Sequence, residues 1–485
     1  MADLSFCLRD LSAGVKVLVC LCVTVRSRFL KNWKKYPIIF RKRRFLWYNV
    51  PIKDAPGECR KGWGYPMSKK VKRNVIVGQS GGPTAAINSS LAGVFRTAKD
   101  RGYKKVYGMI HGVQGLLEGR YIDLSEHIRT GLDAELLKRT PSAYLGSCRY
   151  KLPDIYENKE VYEKIFKILE DLEIDCFIYI GGNDSMDTIK KLSDYAIVTG
   201  SDVRFVGCPK TIDNDLALTD HTPGYGSAAK YIGTSVKEII RDGWSLETSK
   251  GQVIVVEIMG RNAGWLTGAA ALSKGEDCDG PDAIYLPELP FDVPAFVQKC
   301  RELLEKKRSI VIAISEGIHT ADGTYISELG NATEYVDAFG HKQLTGTARY
   351  LCNVLSQEIG CKTRSIELST LQRAASHCAS RVDILEAYEV GGAAMKAADE
   401  GDSGKMVVIQ RLSDDPYQAG TEVKDVHKIA NDERLVPRNW ITPDGTYVTN
   451  EFITYVRPLI QGDVGAVMVD GIPRHLYVPG YQELL

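Results

Sequence analysis

The sequence predicts an α/β protein built from two doubly wound units with parallel sheets. Three observations carry that prediction: a length of 485 residues, a series of short Val/Ile-rich runs, and amphipathic stretches between those runs. A chain this long exceeds a single core and divides into packed units. Apolar runs with little polar alternation read as strands covered on both faces, as in parallel sheets. Strands of that kind alternating with helices define the doubly wound class.

The elements follow in chain order. "NVIVG" at 74 opens the first strand. "TAAINSSLAGVFRTAKDRG" then places Ile87, Leu91, Val94 and Ala98 on one stripe, with Thr84 as N-cap. "EVYEKIFKILEDLE" repeats the pattern with Val161, Ile165, Ile168 and Leu169. Both stripes are core faces rather than cofactor contacts. Further strands are expected at "CFIYIGG" from 176, "VRFVG" from 203, "QVIVVEIMG" from 252, "SIVIAIS" from 309 and "KMVVIQ" from 405. Residues 413–443 are irregular and polar, suited to covering the sheet or a neighbour.

Hydrophobic and charged fractions of 44% and 25% are ordinary for a globular protein. A net charge of +1 gives no polyanion-binding surface, so no nucleic-acid partner is expected. Residues 1–66 depart from that average, with 14 Lys/Arg against 4 Asp/Glu. Their apolar run "VKVLVCLCVTV" falls short of the roughly 20 residues of a membrane span, and no clean cleavage site follows it. We expect a non-domain extension there, with "MSKKVKRNVIVG" from Met67 as the natural start and a basic amphipathic anchor as the alternative. The twelve cysteines show no C-x-x-C and no zinc spacing. Cys148, Cys176, Cys208 and Cys352 read as small buried hydrophobes in a reducing, cytoplasmic compartment.

Ligands in such sheets bind at loops leaving the carboxyl ends of strands. The first strand ends in "GQSGGPTAAINSS", where Gly81 and Gly82 allow close backbone approach and the next helix offers free N–H groups to a phosphate. "GGNDSMDT" repeats the arrangement at a second strand end. Asn183 and Asp184 there supply hard oxygens to Mg²⁺, and Ser185 stands at the helix start. "CPKTIDNDLALTD" leaves a third strand. Thr211 and Asp213 can reach a sugar hydroxyl, with Asp213 as general base. Asp215 holds metal-bound water or orients the base, and Lys210 neutralises a moving phosphoryl group. Donor site, metal and base in one crevice are what phosphoryl transfer requires. "GYGSAA" at 224 fits a dinucleotide fingerprint but follows no strand directly, and no G-x-x-x-x-G-K-[ST] occurs. His111, His127 and His221 have no partners at metal spacing and read as core or loop histidines.

From about Lys69 onward the chain resembles the phosphofructokinase family, carrying "SGGPTAAIN", "GGNDS", "PKTIDND", "MGRNAGW" and "LPE" in the family's order. The resemblance implies two Rossmann-like domains with the active site in the cleft, Mg²⁺, and transfer to the 1-hydroxyl of fructose 6-phosphate. It implies a donor and metal domain over 67–224 plus about 373–430, and a sugar-phosphate domain over 225–372 plus about 431–485. "LGSCRY" implies that Arg149 meets the donor phosphates beside Gly81. Thr211, Ile212, Met259, Gly260, Arg261 and Glu288 would line the sugar-phosphate site. "TRSIELSTLQR" adds Arg364, Thr370 and Arg373, with one arginine coming from a neighbouring subunit of a homodimer or homotetramer.

ATP-using members of the family generally read G-G-D-G-S and P-G-T-I-D-N-D. Asp184 and Lys210 replace those glycines here, so the chain resembles the pyrophosphate-dependent branch. Asn183 replaces a usual metal-binding aspartate, which shifts the metal towards Asp184, Asp213 or Asp215, and Thr370 replaces a usual His or Tyr. The competing readings are an ATP-dependent enzyme, a non-catalytic sugar-phosphate-binding subunit, and a lipid or NAD kinase.

Overall fold

Each of the six apolar runs becomes a strand. The computed structural model describes residues 73–246, 249–330, 344, 346–430 and 432–478, all within the unit Lys69–Leu485. The extension expected over 1–66 lies outside the described residues. Strands β1 (Asn74–Gln79), β2 (Lys105–Met109), β3 (Tyr121–Asp123), β4 (Ile174–Gly181) and β5 (Arg204–Pro209) come first. Four more, β6 (Gln252–Ile258), β7 (Ala283–Tyr285), β8 (Ser309–Ser315) and β9 (Lys362–Glu367), form a second sheet in the order β7-β8-β6-β9, all parallel. The chain then adds β10 (Lys405–Asp414) and β11 (Tyr417–Asp425) to the first sheet, whose order is β11-β10-β5-β4-β1-β2-β3. That sheet is parallel from β10 to β2 and antiparallel at both edges. A short hairpin, β12 (Met468–Val469) with β13 (Ile472–Pro473), follows.

β1, β4 and β6 are buried along their whole length, which is why their sequences show no polar alternation. Helices cover both faces of the first sheet. Helix Ile87–Asp100 buries Ile87, Leu91, Val94 and Ala98 against one face, together with helix Arg381–Glu400. Helix Lys159–Asp171 buries Tyr162, Ile165 and Leu169 on the other face, with Val161 and Ile168 partly covered. Thr84 is not the N-cap, a position that falls on Ala86; it stands two residues earlier, and its Oγ1 accepts from the Ala86 N–H at 3.2 Å and the Ile87 N–H at 2.9 Å in the turn that leads into the helix.

Two further features differ from expectation. Residues 413–443 are not wholly irregular, because β11 pairs antiparallel with β10 and is polar as a half-exposed edge strand. β9 was hidden for the same reason: "KTRSIE" is an edge strand with Lys362, Arg364, Ser365 and Glu367 exposed. The cysteines fit their reading. Cys148, Cys176, Cys208 and Cys352 are free and buried, and burial pushes the Cys208 thiol up to about 12. No helix among the described residues is long and apolar enough to cross a membrane.

Candidate active site

β5, β4 and β1 are parallel neighbours, so the loops after their carboxyl ends emerge together. In the first loop Gly81 adopts φ +75°, and a Cβ there would stand 3.2 Å from Lys210 Nζ. Glycine satisfies both the left-handed backbone and the close approach. In the second loop Asp184 occupies the first turn of helix Asn183–Thr199, where the helix dipole favours a carboxylate. The third loop is stitched to the others: the Lys210 N–H donates to Gly181 O at 3.0 Å, and Lys210 Nζ donates to Gly82 O at 2.7 Å.

Between its two aspartates the third loop turns sharply. Asn214 adopts φ +56°, a left-handed conformation that asparagine tolerates better than most residues. Its amide is buried, donating to the Tyr455 hydroxyl at 2.9 Å and accepting from the Thr222 N–H at 3.1 Å. Asp213 and Asp215 flank this pin and line the same crevice. Thr211 Oγ1 donates to Asp213 Oδ2 at 3.3 Å and accepts from the Asp213 N–H at 3.1 Å.

Two contiguous cavities result. The first, of about 390 Å³, is walled by Gly81, Gly82, Arg149, Asn183, Asp184 and Ser185. The second, of about 270 Å³, is walled by Ile212, Met259, Arg261, Asn262, Glu316 and Arg373. Lys210, Thr211, Asp213, Asp215 and Glu433 line both, as do Gly82 and Arg149 of the first. The second cavity is built from strand ends of the second sheet. After β6, the Met259 N–H donates to Gln372 Oε1 at 3.1 Å, which holds the turn carrying Arg373. Gly260, at φ +136°, donates its N–H to Glu316 Oε1 at 3.4 Å.

Burial and like charges perturb this cluster. Burial lowers Lys210 to about 8, although Asp213 and Asp215 oppose the shift. Burial raises Asp213, and the Thr211 hydroxyl and Lys210 hold it back. Burial and then the Asp213 charge raise Asp215 to about 7. Glu316 is pushed up to about 8, first by burial, with Asp213 and Glu257 adding to it. Shifts of this kind, gathered in one cleft, mark a reactive site.

Four anticipated contacts line neither cavity, Gly260 among them, since it meets the acceptor side only through its N–H on Glu316. Glu288 lines neither cavity; its Oε1 accepts from the Gly264 N–H at 2.8 Å and the Val436 N–H at 2.9 Å. The carboxylate thus clamps the turn after Arg261 to a late segment. Arg364, on the exposed edge β9, pairs with Asp242 at 3.3 Å, and Thr370 is exposed where the short helix Leu371–Ala374 begins. Four residues were not anticipated: Asn214, Asn262, Glu316 and Glu433. Glu316 follows "SIVIAIS" directly and was open to the strand-end rule. Glu433 carries no local signal.

The first cavity suits a hard cation. Asn183 Nδ2 donates to Asp432 O at 3.3 Å, whereas Asn183 Oδ1 is buried without a hydrogen-bond partner. Asp184 and Asp215 line the same space. Among the described residues no cluster of three or more His, Cys, Asp or Glu is set for a metal. Mg²⁺ needs no such cage, since it takes one or two carboxylates and completes its shell with water and substrate phosphates.

A family model described as Phosphofructokinase matches residues 74–398. The chain is 39% identical over 405 residues to a pyrophosphate–fructose 6-phosphate 1-phosphotransferase of Halomonas elongata, covering 83% of this chain and 95% of that protein. It is 40% identical over 404 residues to the protein of the same name from Xanthomonas campestris, with the same coverage. Its fold is similar to the crystal structure of a pyrophosphate-dependent phosphofructokinase from Nitrosospira multiformis, with TM-score 0.75, 34% identity, and coverage of 83% and 95% of the two chains.

Proposed function

The chain belongs to the phosphofructokinase family, and we propose that its joined cavities hold inorganic pyrophosphate and fructose 6-phosphate. The reaction moves one phosphoryl group from pyrophosphate to the sugar 1-hydroxyl, giving fructose 1,6-bisphosphate and phosphate, reversibly. The observation that carries this reading is the shared wall: Lys210 and Asp213 face both cavities at once.

Pyrophosphate occupies the first cavity, against the Gly81–Gly82 backbone, the Ser185 helix start and Arg149. The sugar occupies the second, with its 6-phosphate on Arg261 and Arg373, whose planar forks grip phosphate oxygens in pairs. Glu316, held neutral by burial, donates to a sugar hydroxyl. Asp213 takes the 1-hydroxyl proton as the oxygen attacks phosphorus, and Lys210 neutralises charge on the transferring group. Asn183, Asp184 and Asp215 would hold Mg²⁺, which supplies charge neutralisation on the donor oxygens. Asp184 also disfavours a donor that extends past two phosphates, because a further phosphate would meet its carboxylate.

Arg364 and Thr370 would serve a second copy. β9 is an exposed edge carrying Arg364, and a homodimer or homotetramer joined near it would bring that cation to a neighbour's sugar phosphate. The unpaired buried cysteines favour a cytoplasmic location. A coupled assay of purified protein with fructose 6-phosphate and each donor tests the function. Turnover with pyrophosphate supports it, and turnover with ATP alone refutes it.

A further inference from the structure

Residues 432–434 form a strap across the active site, and it lies outside the 74–398 stretch that matches the family model. Three consecutive residues tie down three loops. Asp432 O accepts from Asn183 Nδ2 of the donor loop at 3.3 Å. The Arg434 N–H donates to Asp215 O of the base loop at 2.8 Å, and Leu216 and Glu433 form a backbone bridge beside it. Glu433 accepts from Asn262 Nδ2 of the acceptor loop, with both carboxylate oxygens at 3.1 Å.

The strap is itself anchored firmly. Arg434 Nη1 donates to Thr219 O at 2.8 Å, and Nη2 to the Tyr455 hydroxyl at 2.9 Å. Its guanidinium lies 4.5 Å from the centre of the Trp265 ring, whose Nε1 donates to Arg434 O at 2.9 Å. Val436 is buried two residues further on and its N–H is held by Glu288. Glu433 is therefore a carboxylate on a fixed base, aimed at a loop that walls only the acceptor cavity.

We propose that Glu433 is a positioning residue: acting through Asn262, it sets the register of the acceptor against the donor and base. The inference rests on the phosphoryl-transfer reading. Glu433 and Asn262 are exposed in the open cleft but line the cavities that substrates fill. Bound substrates cover the pair and remove competing water, so the tie strengthens when both sites are occupied. Small errors of alignment in a near-attack geometry lower turnover steeply. The consequence falls on kcat rather than on either KM.

Steady-state kinetics of Glu433→Ala, Asn262→Ala and the double variant, with pyrophosphate and fructose 6-phosphate, tests the proposal. The expected result is a loss of about tenfold or more in kcat for each variant, with both KM values within about threefold. The double variant falls no further than the single ones, and Glu433→Gln, whose amide oxygen still accepts from Asn262, recovers most of the loss. Wild-type kcat in Glu433→Ala, additive losses, or a Gln variant as slow as Ala overturns it. If Glu433→Ala does not fold, Asn262→Ala reads the same tie from the acceptor side. A wild-type chain inactive with pyrophosphate defeats the function reading, whereas an active wild type with an unaffected Glu433→Ala defeats only this inference.

Discussion

Lys210 Nζ lies 2.7 Å from the Gly82 carbonyl and donates to it, a buried cation held by the glycine loop it faces. An ammonium in that position is partly desolvated before any substrate arrives. It therefore meets an incoming phosphate without first shedding a full hydration shell. The neighbouring Asp213 and Asp215 keep the amine from losing its proton outright.

Asp213→Ala is expected to lower kcat by about a hundredfold or more, as for loss of a general base. Fructose 6-phosphate should still bind, since Arg261 and Arg373 remain. Turnover kinetics with binding calorimetry checks both parts. Unchanged turnover would remove the base assignment.

Asp184→Gly with Lys210→Gly is expected to raise kcat/KM for ATP by about tenfold or more, and to depress it for pyrophosphate. Glycine at 184 removes a carboxylate from the donor cavity, and glycine at 210 removes the cation that suits a compact polyanion. Parallel kinetics with the two donors decides the matter. No gain with ATP would locate donor choice elsewhere.

The pH profile of kcat/KM should be bell-shaped. Activity rises with pH as Asp213, whose pKa burial raises, loses its proton, because a base must be unprotonated. It falls as Lys210 loses its proton near 8, because the amine must be charged. Lys210→Arg should extend the alkaline limb, and a profile in which the limb is unmoved would contradict the role of the amine.

A separate titration acts on stability. His221 is buried between Asp220 at 2.8 Å and Glu386 at 2.7 Å, behind the base loop. Burial pushes its pKa down, but the two hydrogen-bonded carboxylates outweigh burial and raise it from 6.5 to about 9. The folded state thus holds a proton that the unfolded state releases above 6.5. Stability from this group is full below that value and is lost as pH rises through about 9. Denaturant melts of wild type and His221→Gln should show the alkaline decline only in the former.

Asn214→Ala should destabilise the fold by about 2–4 kcal/mol, combining a left-handed backbone that alanine disfavours with two lost buried hydrogen bonds. Asn214→Gly should lose less, since only the hydrogen bonds go. Equal losses in chemical denaturation would show that the backbone conformation contributes nothing.

The sequence revealed the buried part of this fold more fully than its edges. β1, β4, β5, β6, β8 and β10 announced themselves because burial on both faces demands unbroken apolar residues. β9 and β11 did not, since an edge strand with an exposed face needs no such run. The same logic divides the site. The loops at 81, 184 and 213 were legible because glycine and acid at a strand end serve no core. Asn214 depends on a tyrosine 241 positions away, and Glu433 on a strap fixed by Trp265 and Tyr455, so no local pattern could announce either. Glu288 resembled a ligand in "LPE", yet backbone N–H groups claim its Oε1.

The most direct measurement places pyrophosphate and ATP in one tube with fructose 6-phosphate, Mg²⁺ and the purified chain, and follows the phosphorus resonances. One phosphate and one fructose 1,6-bisphosphate should appear for each pyrophosphate consumed, while the ATP signals stay constant. ATP converted to ADP with pyrophosphate intact would contradict transfer from the compact donor.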